Sequence, residues 1–318
     1  MQQMAEFGAM IPECWPVYEI GEWTDRLQSI CGNFNPRHAG RAIVTGNASV
    51  SDAGGLELAQ VANDVDIIRR DIGDIKQDYG ENLFLLLQLE GTCGVEQHGR
   101  QAIIAPGDCI LVDSSSPSVF HFGGHFSNHL SVHLPRQLVF ADRTRRVEVA
   151  RRLEAADPMS TMLRALVAKL IHTDASGKSA SHLRELLFSA TRQAFAIDEE
   201  QQTPLPTDSA GGRLQIVQIL IDRHLTDESL TPQWLADKIG ISLRTLQEDF
   251  STLGTTATSM IRMRRLHLVH EQLMQMKNRP SAPTIAEVAY SAGFNDISYF
   301  NRCFRRLFDC SPKDVLHQ

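Results

Sequence analysis

No pair of cysteines in this chain is spaced C-x-x-C. Cys14, Cys31, Cys93, Cys109, Cys303 and Cys310 stand apart, which argues against a disulfide framework or a structural zinc knot and for free thiols in a reducing compartment. No apolar run approaches the roughly 18 residues that cross a bilayer. The opening Met1-Gln2-Gln3-Met4-Ala5-Glu6-Phe7 has neither a basic leader nor an apolar core, so no membrane association and a cytoplasmic location are expected. Net basic charge is missing as well, with 31 Lys+Arg against 38 Asp+Glu and a formal charge of -7. Spread evenly, that charge would argue against a nucleic-acid partner. The spread is uneven: residues 212–318 hold 13 basic and 11 acidic side chains, net +2, and residues 1–211 hold 18 and 27, net -9. At 318 residues, 42% hydrophobic and 22% charged, the chain has ordinary globular usage and room for two domains.

The most informative stretch is 284–312. Thr284 and Glu287 have the spacing of a capping box, and Ile285, Val288, Ala289 and Ala292 follow at helical intervals. Gly293 stops that helix, because glycine takes a left-handed backbone at no steric cost. Asn295 or Asp296 then caps a second helix, in which Phe300, Phe304 and Leu307 or Phe308 form one apolar stripe. Its other face carries Ser298, Asn301, Arg302 and Arg305. Short polar groups and guanidinium forks of this kind reach base edges and phosphates, although a solvated amphipathic helix has the same outline.

Repetition of the pattern strengthens the first reading. Leu235, Ile239, Gly240 and Ser242 recur 53 residues later as Val288, Ala292, Gly293 and Asn295, and Leu246 and Phe250 recur 54 later as Phe300 and Phe304. One inserted residue after the turn accounts for the change. Thr231 and Pro232 open the first unit as cap and first helical position, Ser242 caps its second helix, and Arg244, Thr245, Gln247 and Glu248 point outward. Helix-turn-helix units are thus expected at 231–251 and 284–307. Between them a helix over 256–277, rich in Arg262, Arg264 and Arg265, would span about 33 Å at 1.5 Å per residue. That is close to the roughly 34–36 Å of one DNA turn, so reading helices at its two ends would meet successive major grooves.

Residues 212–318 resemble the DNA-binding region of AraC/XylS-type transcription regulators. The resemblance lies in Ile285-Ala286-Glu287-Val288-Ala289, Gly293-Phe294-Asn295-Asp296, Ser298-Tyr299-Phe300, Phe304-Arg305-Arg306 and Ser311-Pro312. It implies base-facing roles for Arg244, Thr245, Gln247 and Glu248 in the first unit and for Ile297, Ser298, Tyr299, Asn301 and Arg302 in the second. Arg305 is expected on DNA as a phosphate contact. Glu248 departs from the family pattern, where a basic residue is frequent; an acid accepts from a cytosine amine but repels phosphate. DNA-repair methyl acceptors carry a similar region but need a zinc-held cysteine, for which the spacing here gives no support.

Residues 1–140 read as β-rich. Positions 83–89 form a strand apolar on both faces, and His98-Gly99-Arg100 and Ala105-Pro106-Gly107-Asp108 form turns. Short strands at about ten-residue intervals predict a small barrel or jelly roll. This part resembles the cupin-like sensor domains of the same family. Cys31-Gly32-Asn33-Phe34 and the Gly-Arg…Pro-Gly-Asp run resemble regulators of aromatic amine (phenylethylamine-type) catabolism.

His121, His125, His129 and His133 recur every four residues, but positions 126–134 alternate apolar and polar like a strand with one wet face. Residues four apart on a strand are about 13 Å apart, too far for one shared ion, so no metal and no cofactor are expected. Candidate ligand-pocket residues are Phe84, Leu86, Gln88, Phe120, His121 and Phe122, an aromatic and apolar wall around few polar groups.

Residues 141–197 carry a helical hairpin. Met162, Leu163, Leu166 and Leu170, then Leu183, Leu186, Leu187, Ala190 and Ala194, recur at helical spacing, either as intradomain core or as a dimer face. The polar, Pro- and Gly-rich 198–212 is the expected linker to an all-α domain at 213–318. The fold class is α+β: a cupin-like β-barrel with a helical hairpin, then two helix-turn-helix units. What the resemblance implies is a homodimeric activator of an aromatic-compound catabolic operon, with double-stranded operator DNA, RNA polymerase and a small aromatic amine, aldehyde or carboxylate inducer as partners. A ligand-independent regulator, or a metal-dependent cupin enzyme fused to a DNA-binding domain, are the alternatives; no enzymatic activity is expected.

Overall fold

The computed structural model describes residues 7–8, 10–78, 82–140, 146–175, 177–197, 209–276 and 283–317. The chain forms two compact units, Met1–Val139 with Val147–Ile197, and Asp198–Gln318 with Phe140–Arg146. Most of the expected linker, 198–208, lies outside the described residues. Its end is not linker: Ser209 caps a helix Ala210–Arg223 by accepting from the Gly212 N–H at 3.1 Å. No helix among the described residues is long and apolar enough to cross a membrane.

The first unit is built on two antiparallel sheets. One has six strands in the order Arg152–Leu153, Cys109–Asp113, Asn82–Glu90, Ser127–Pro135, Glu57–Asn63 and Asn47–Asp52. The other has five: Asn35–Arg37, Ile67–Arg70, Ser118–His121, Cys93–Gln97 and Arg100–Ile104. A single apolar core draws on both sheets, with Val61, Phe84, Leu86, Ile110 and Val112 from the first and Ile68, Val95, Ile104 and Phe120 from the second. The two-residue turn at His98-Gly99 has φ of 54° and 72°, the pair of left-handed backbones that matches strand twist in a tight hairpin. Helix Ile20–Cys31 contributes Trp23 and Leu27 to the same core, and the Trp23 indole donates to the Ala62 carbonyl at 3.3 Å.

Asn82–Glu90 is the central, doubly buried strand, paired on both sides. Its neighbour Ser127–Pro135 differs from the sequence expectation. Ser127, His129, Ser131 and His133 are all buried, so the face read as wet is closed off from solvent. Alternation reports two unlike faces, and here the polar one turns inward.

The helical hairpin, Pro158–Ile171 and Lys178–Ala194, belongs to this unit. Ser160 on its first helix donates to the Gly107 carbonyl at 3.0 Å and lies 3.3 Å from the Cys109 thiol, which seats that helix on the strand end at Cys109. Leu163, Val167, Leu170, Leu187, Ala190 and Ala194 are buried, while Met162 and Leu186 from the predicted stripe are exposed.

The second unit is all helix around one core running from Leu214 to Val315. At its centre lies the rod Ala257–Met276, capped by Thr256, whose hydroxyl accepts from the Ser259 N–H at 3.1 Å. Its 20 residues give about 30 Å at 1.5 Å each. Met260, Ile261, Leu266, Leu268, Val269 and Leu273 are buried around most of its circumference, as befits a helix packed from several sides.

Two of the rod's arginines hold this unit together. The half-buried Arg265 guanidinium donates to the carbonyls of Leu225 (2.8 Å), Asp227 (2.7 Å) and Gly293 (2.8 Å), joining the end of the first helix to the turn of the second helix-turn-helix. Arg264, 1% exposed, pairs with Asp222 at 2.6 Å. Replacing Arg265 by Ala removes three charge-assisted bonds and leaves three carbonyls in partial burial, so the second unit should lose on the order of 3 kcal/mol in urea unfolding followed by circular dichroism. A loss within a few tenths of a kcal/mol would mean that water replaces the guanidinium at no cost.

Candidate nucleic-acid interface and barrel cavity

Each helix-turn-helix is fixed by its caps. In the first, Thr231 accepts from the Trp234 N–H at 3.1 Å, Pro232 fills the first turn, Gly240 ends the helix at φ 72°, and Ser242 caps the next helix through the Thr245 N–H at 3.0 Å. In the second, the Thr284–Glu287 capping box is complete, with N–H to oxygen distances of 2.7 and 3.2 Å. Gly293 sits at φ 90°, and a Cβ there would fall 2.7 Å from the Arg265 guanidinium. Glycine is therefore required twice over, by backbone and by clasp.

Asp296, rather than Asn295, caps the second reading helix, accepting from the Tyr299 N–H at 2.9 Å. The inserted residue that shifts the repeat from 53 to 54 thus lies inside the turn, before the cap.

The first reading helix, Leu243–Thr252, anchors through buried Leu246 and Phe250. Its buried Asp249 is gripped by Arg213 through two bonds of 2.7 Å. Arg244, Gln247 and Glu248 are exposed and Thr245 is half-buried. Arg244 pairs with Glu248 one turn on, Nε to Oε1 2.9 Å, with 87% and 62% of the side chains exposed. A pair so wet is worth at most about 0.5 kcal/mol and yields readily to a better partner.

The second reading helix, Ile297–Phe308, buries Phe300 and Phe304 and exposes Ser298, Tyr299, Arg302, Arg305 and Arg306. Asn301 is half-buried, and so is Ile297, which packs on the apolar core instead of standing out with its neighbours. Arg262 of the rod donates to the Tyr299 hydroxyl at 2.9 Å, and His270 stacks on Phe308 at 4.5 Å. Helix and rod therefore run side by side in the same direction. This corrects the expectation of a reading helix at each end of the rod, and Lys277, its expected last residue, lies outside the described residues.

The first unit holds a cavity between its sheets. It is lined by Phe34, Phe84, Leu86, Phe120, Phe122, Leu27, Val61, Ile68, Cys31, His129 and Ser131. Its volume is about 30 Å³, so the space is narrow. Four of the six sequence candidates meet there. Gln88 does not, because its amide is bound to the carbonyls of Glu90 (2.7 Å) and Gly91 (3.3 Å) and to the Ser127 hydroxyl (2.8 Å). Nor does His121, which is exposed and 3.7 Å from Glu96.

His129 and Ser131 were legible only as part of an alternating face. Cys31 and Phe34 carried the resemblance without a pocket role. The four histidines fall into two settings: His121 and His125 are exposed, while His129 and His133 are buried. His133 Nδ1 lies 3.1 Å from a Glu57 oxygen and its Nε2 4.0 Å from the Cys31 sulfur. Among the described residues no cluster of His, Cys, Asp and Glu could hold a metal ion.

Together, a two-sheet β unit enclosing a cavity and a helical unit with two capped helix-turn-helix motifs define a DNA-binding transcription regulator. The profile of the AraC-binding-like domain matches residues 23–195, over half of the chain, and that of a helix-turn-helix domain matches residues 235–318. The chain belongs to the AraC family. Transcriptional activator NphR of Rhodococcus sp is 27% identical over 263 residues, 81% of this chain and 77% of that protein. Transcriptional activator RhrA of Rhizobium meliloti (strain 1021) is 31% identical over 110 residues, 35% of this chain and 34% of that one. The AraC-like transcriptional activator CuxR superposes with a TM-score of 0.48 at 12% identity, covering 87% of this chain and 99% of the other.

Burial pushes the His129 imidazole down from 6.5 to about 4. Below about pH 6.5 the unfolded chain takes up a proton there and the folded one does not, so stability falls as pH drops from 6.5 towards 4. Between pH 7 and 5 this one group should account for on the order of 2 kcal/mol. Melts of His129→Gln at both pH values should show a smaller drop than the parent chain; equal drops would show that His129 is protonated in place.

Proposed function

We propose that this regulator is an activator of an aromatic-compound catabolic operon, working as a cytoplasmic homodimer. A small aromatic compound (amine, aldehyde or carboxylate) enters the cavity, both helix-turn-helix units engage one operator, and the bound protein recruits RNA polymerase. The observation that carries the inducer reading is the cavity itself, four phenylalanines around two buried polar side chains in the β-rich unit. NphR and RhrA, both transcriptional activators, support activation over repression. Exposed Met162 and Leu186 on the hairpin suit a dimer face. A ligand then acts by binding one arrangement of the chain better than another.

On the operator, Arg244, Thr245, Gln247 and Glu248 read the first groove segment, and Ser298, Tyr299, Asn301 and Arg302 the second. Ile297 supports that surface from the core side, and Arg305 meets phosphate. Arg302→Ala should weaken the specific site by about 1 to 3 kcal/mol and relax its sequence preference. Arg305→Ala should weaken all sequences alike and lower the salt slope by about 0.9. An Arg302→Ala isotherm identical to that of the parent chain removes Arg302 from the base contacts.

For the whole reading, footprinting on the upstream DNA should show two protected segments per subunit. A promoter fusion should respond to a small aromatic compound. One protected segment alone would leave a helix-turn-helix idle. A full footprint with a promoter indifferent to every aromatic tested would favour a ligand-independent regulator.

A further inference from the structure

We propose that the cavity takes an uncharged aromatic compound carrying a hydrogen-bonding oxygen, its ring among Phe34, Phe84, Phe120 and Phe122 and its oxygen on Ser131 or His129. This rests on the inducer reading above and selects within it, for the neutral class and against carboxylates and ammonium ions.

The lining supplies grounds on both sides, what it offers and what it lacks. Ser131 is 2% exposed and His129 5%, and the Ser131 hydroxyl and His129 Nδ1 have no hydrogen-bond partner. Buried polar atoms without partners are unfavourable, and natural proteins leave few of them. Two on one strand face, both lining the same space, are the polar counterpart of the aromatic wall. They sit two residues apart in Ser127–Pro135, whose side chains alternate between faces. A hydroxyl and an imidazole nitrogen can between them both donate and accept, so they satisfy a phenol, a carbonyl or an amide equally well.

What the lining lacks is charge. Among the described residues, no Asp, Glu, Lys or Arg borders the cavity. Its titratable groups are held neutral by burial: His129 is pushed down to about 4, and the Cys31 thiol up to about 12. The nearest ions are already matched behind the wall. Arg70, 5.0 Å from the Phe34 ring, is held by Asp78 through two bonds of 2.6 Å, and Glu57 is held by His133. A carboxylate or ammonium brought into this space would surrender its hydration with no counter-ion to meet it, and the desolvation cost of an ion far exceeds that of a neutral polar group. At about 30 Å³ the cavity is well below the size of ordinary ligand sites, which limits its occupant to a single small ring.

The test is calorimetric titration of the full chain at pH 7 with five probes of one ring size: phenol, benzaldehyde, benzoate, benzylamine and toluene. Phenol and benzaldehyde should bind at least about tenfold more tightly than benzoate and benzylamine. Ser131→Ala should weaken phenol by about tenfold, the worth of one hydrogen bond, and leave toluene unchanged. Benzoate or benzylamine binding as tightly as phenol overturns the neutral assignment while leaving the cavity a ligand site. Equal weakening of phenol and toluene by Ser131→Ala overturns the placement of the oxygen. Failure of all five probes to bind sinks the inducer reading itself.

Discussion

The helical unit depends on a guanidinium placed where two turns meet the central rod. Arg265 offers its fork to the carbonyls of Leu225, Asp227 and Gly293, which lie in the turns that follow two helices. A lysine could satisfy these acceptors only as a point charge, whereas the planar fork fixes their directions. Burial pushes the group below its ordinary value. Gly293 is part of the same constraint, since its left-handed turn brings the carbonyl into reach and any Cβ would displace the fork. The turn of the second helix-turn-helix is therefore positioned by the rod as well as by its own sequence. The rod's arginines, which look like DNA contacts in a string of letters, are mostly internal: Arg264 on Asp222, Arg265 on carbonyls and Arg262 on Tyr299.

Much of the fold was legible because its signals are local. Capping residues, glycine stops and the 53/54-residue repeat depend on neighbours a few positions away, and Thr231, Ser242, Gly240, Thr284 and Gly293 all sit where backbone chemistry places them. The exceptions have the same explanation in reverse. Asn295 and Asp296 are equivalent caps by type, and only the path of the turn decides between them. Ile297 occupies the first turn of a reading helix, yet its exposure depends on how that helix lies on the core. The direction in which the second reading helix passes the rod is a property of packing between side chains some 40 positions apart, such as Arg262 and Tyr299.

The cavity was harder to read for one physical reason. Period-two alternation separates two faces of a strand without saying what each face meets. Phe84, Leu86, Phe120 and Phe122 could be gathered because an apolar face nearly always turns inward. Ser127, His129, Ser131 and His133 point inward too, in a sheet whose opposite face is also covered, and a polar face of that kind reads as solvated. Gln88 shares their depth but spends its amide on Glu90, Gly91 and Ser127, so it braces the strand end and leaves the lining to His129 and Ser131. Gln88 Oε1 is as unpartnered as Ser131 Oγ, so what separates bracing from binding is whether the side chain lines the cavity.

The two reading helices are unequal in charge, and this bears on how a chain of net charge -7 holds DNA at all. On the first helix Arg244 is answered by Glu248, and buried Asp249 by Arg213, so the exposed face is close to neutral. On the second, Arg302, Arg305 and Arg306 are exposed, with no ion-pair partner among the described residues. Counterion release scales with the cations brought to phosphate, and the second helix carries more exposed arginines without an ion partner than the first. Because the Arg244–Glu248 pair is almost fully wet, opening it costs little: a guanine in register can claim Arg244, and a cytosine amine can claim Glu248. Glu248, the departure from the family pattern, thus stands exposed beside Arg244 on the less basic of the two helices.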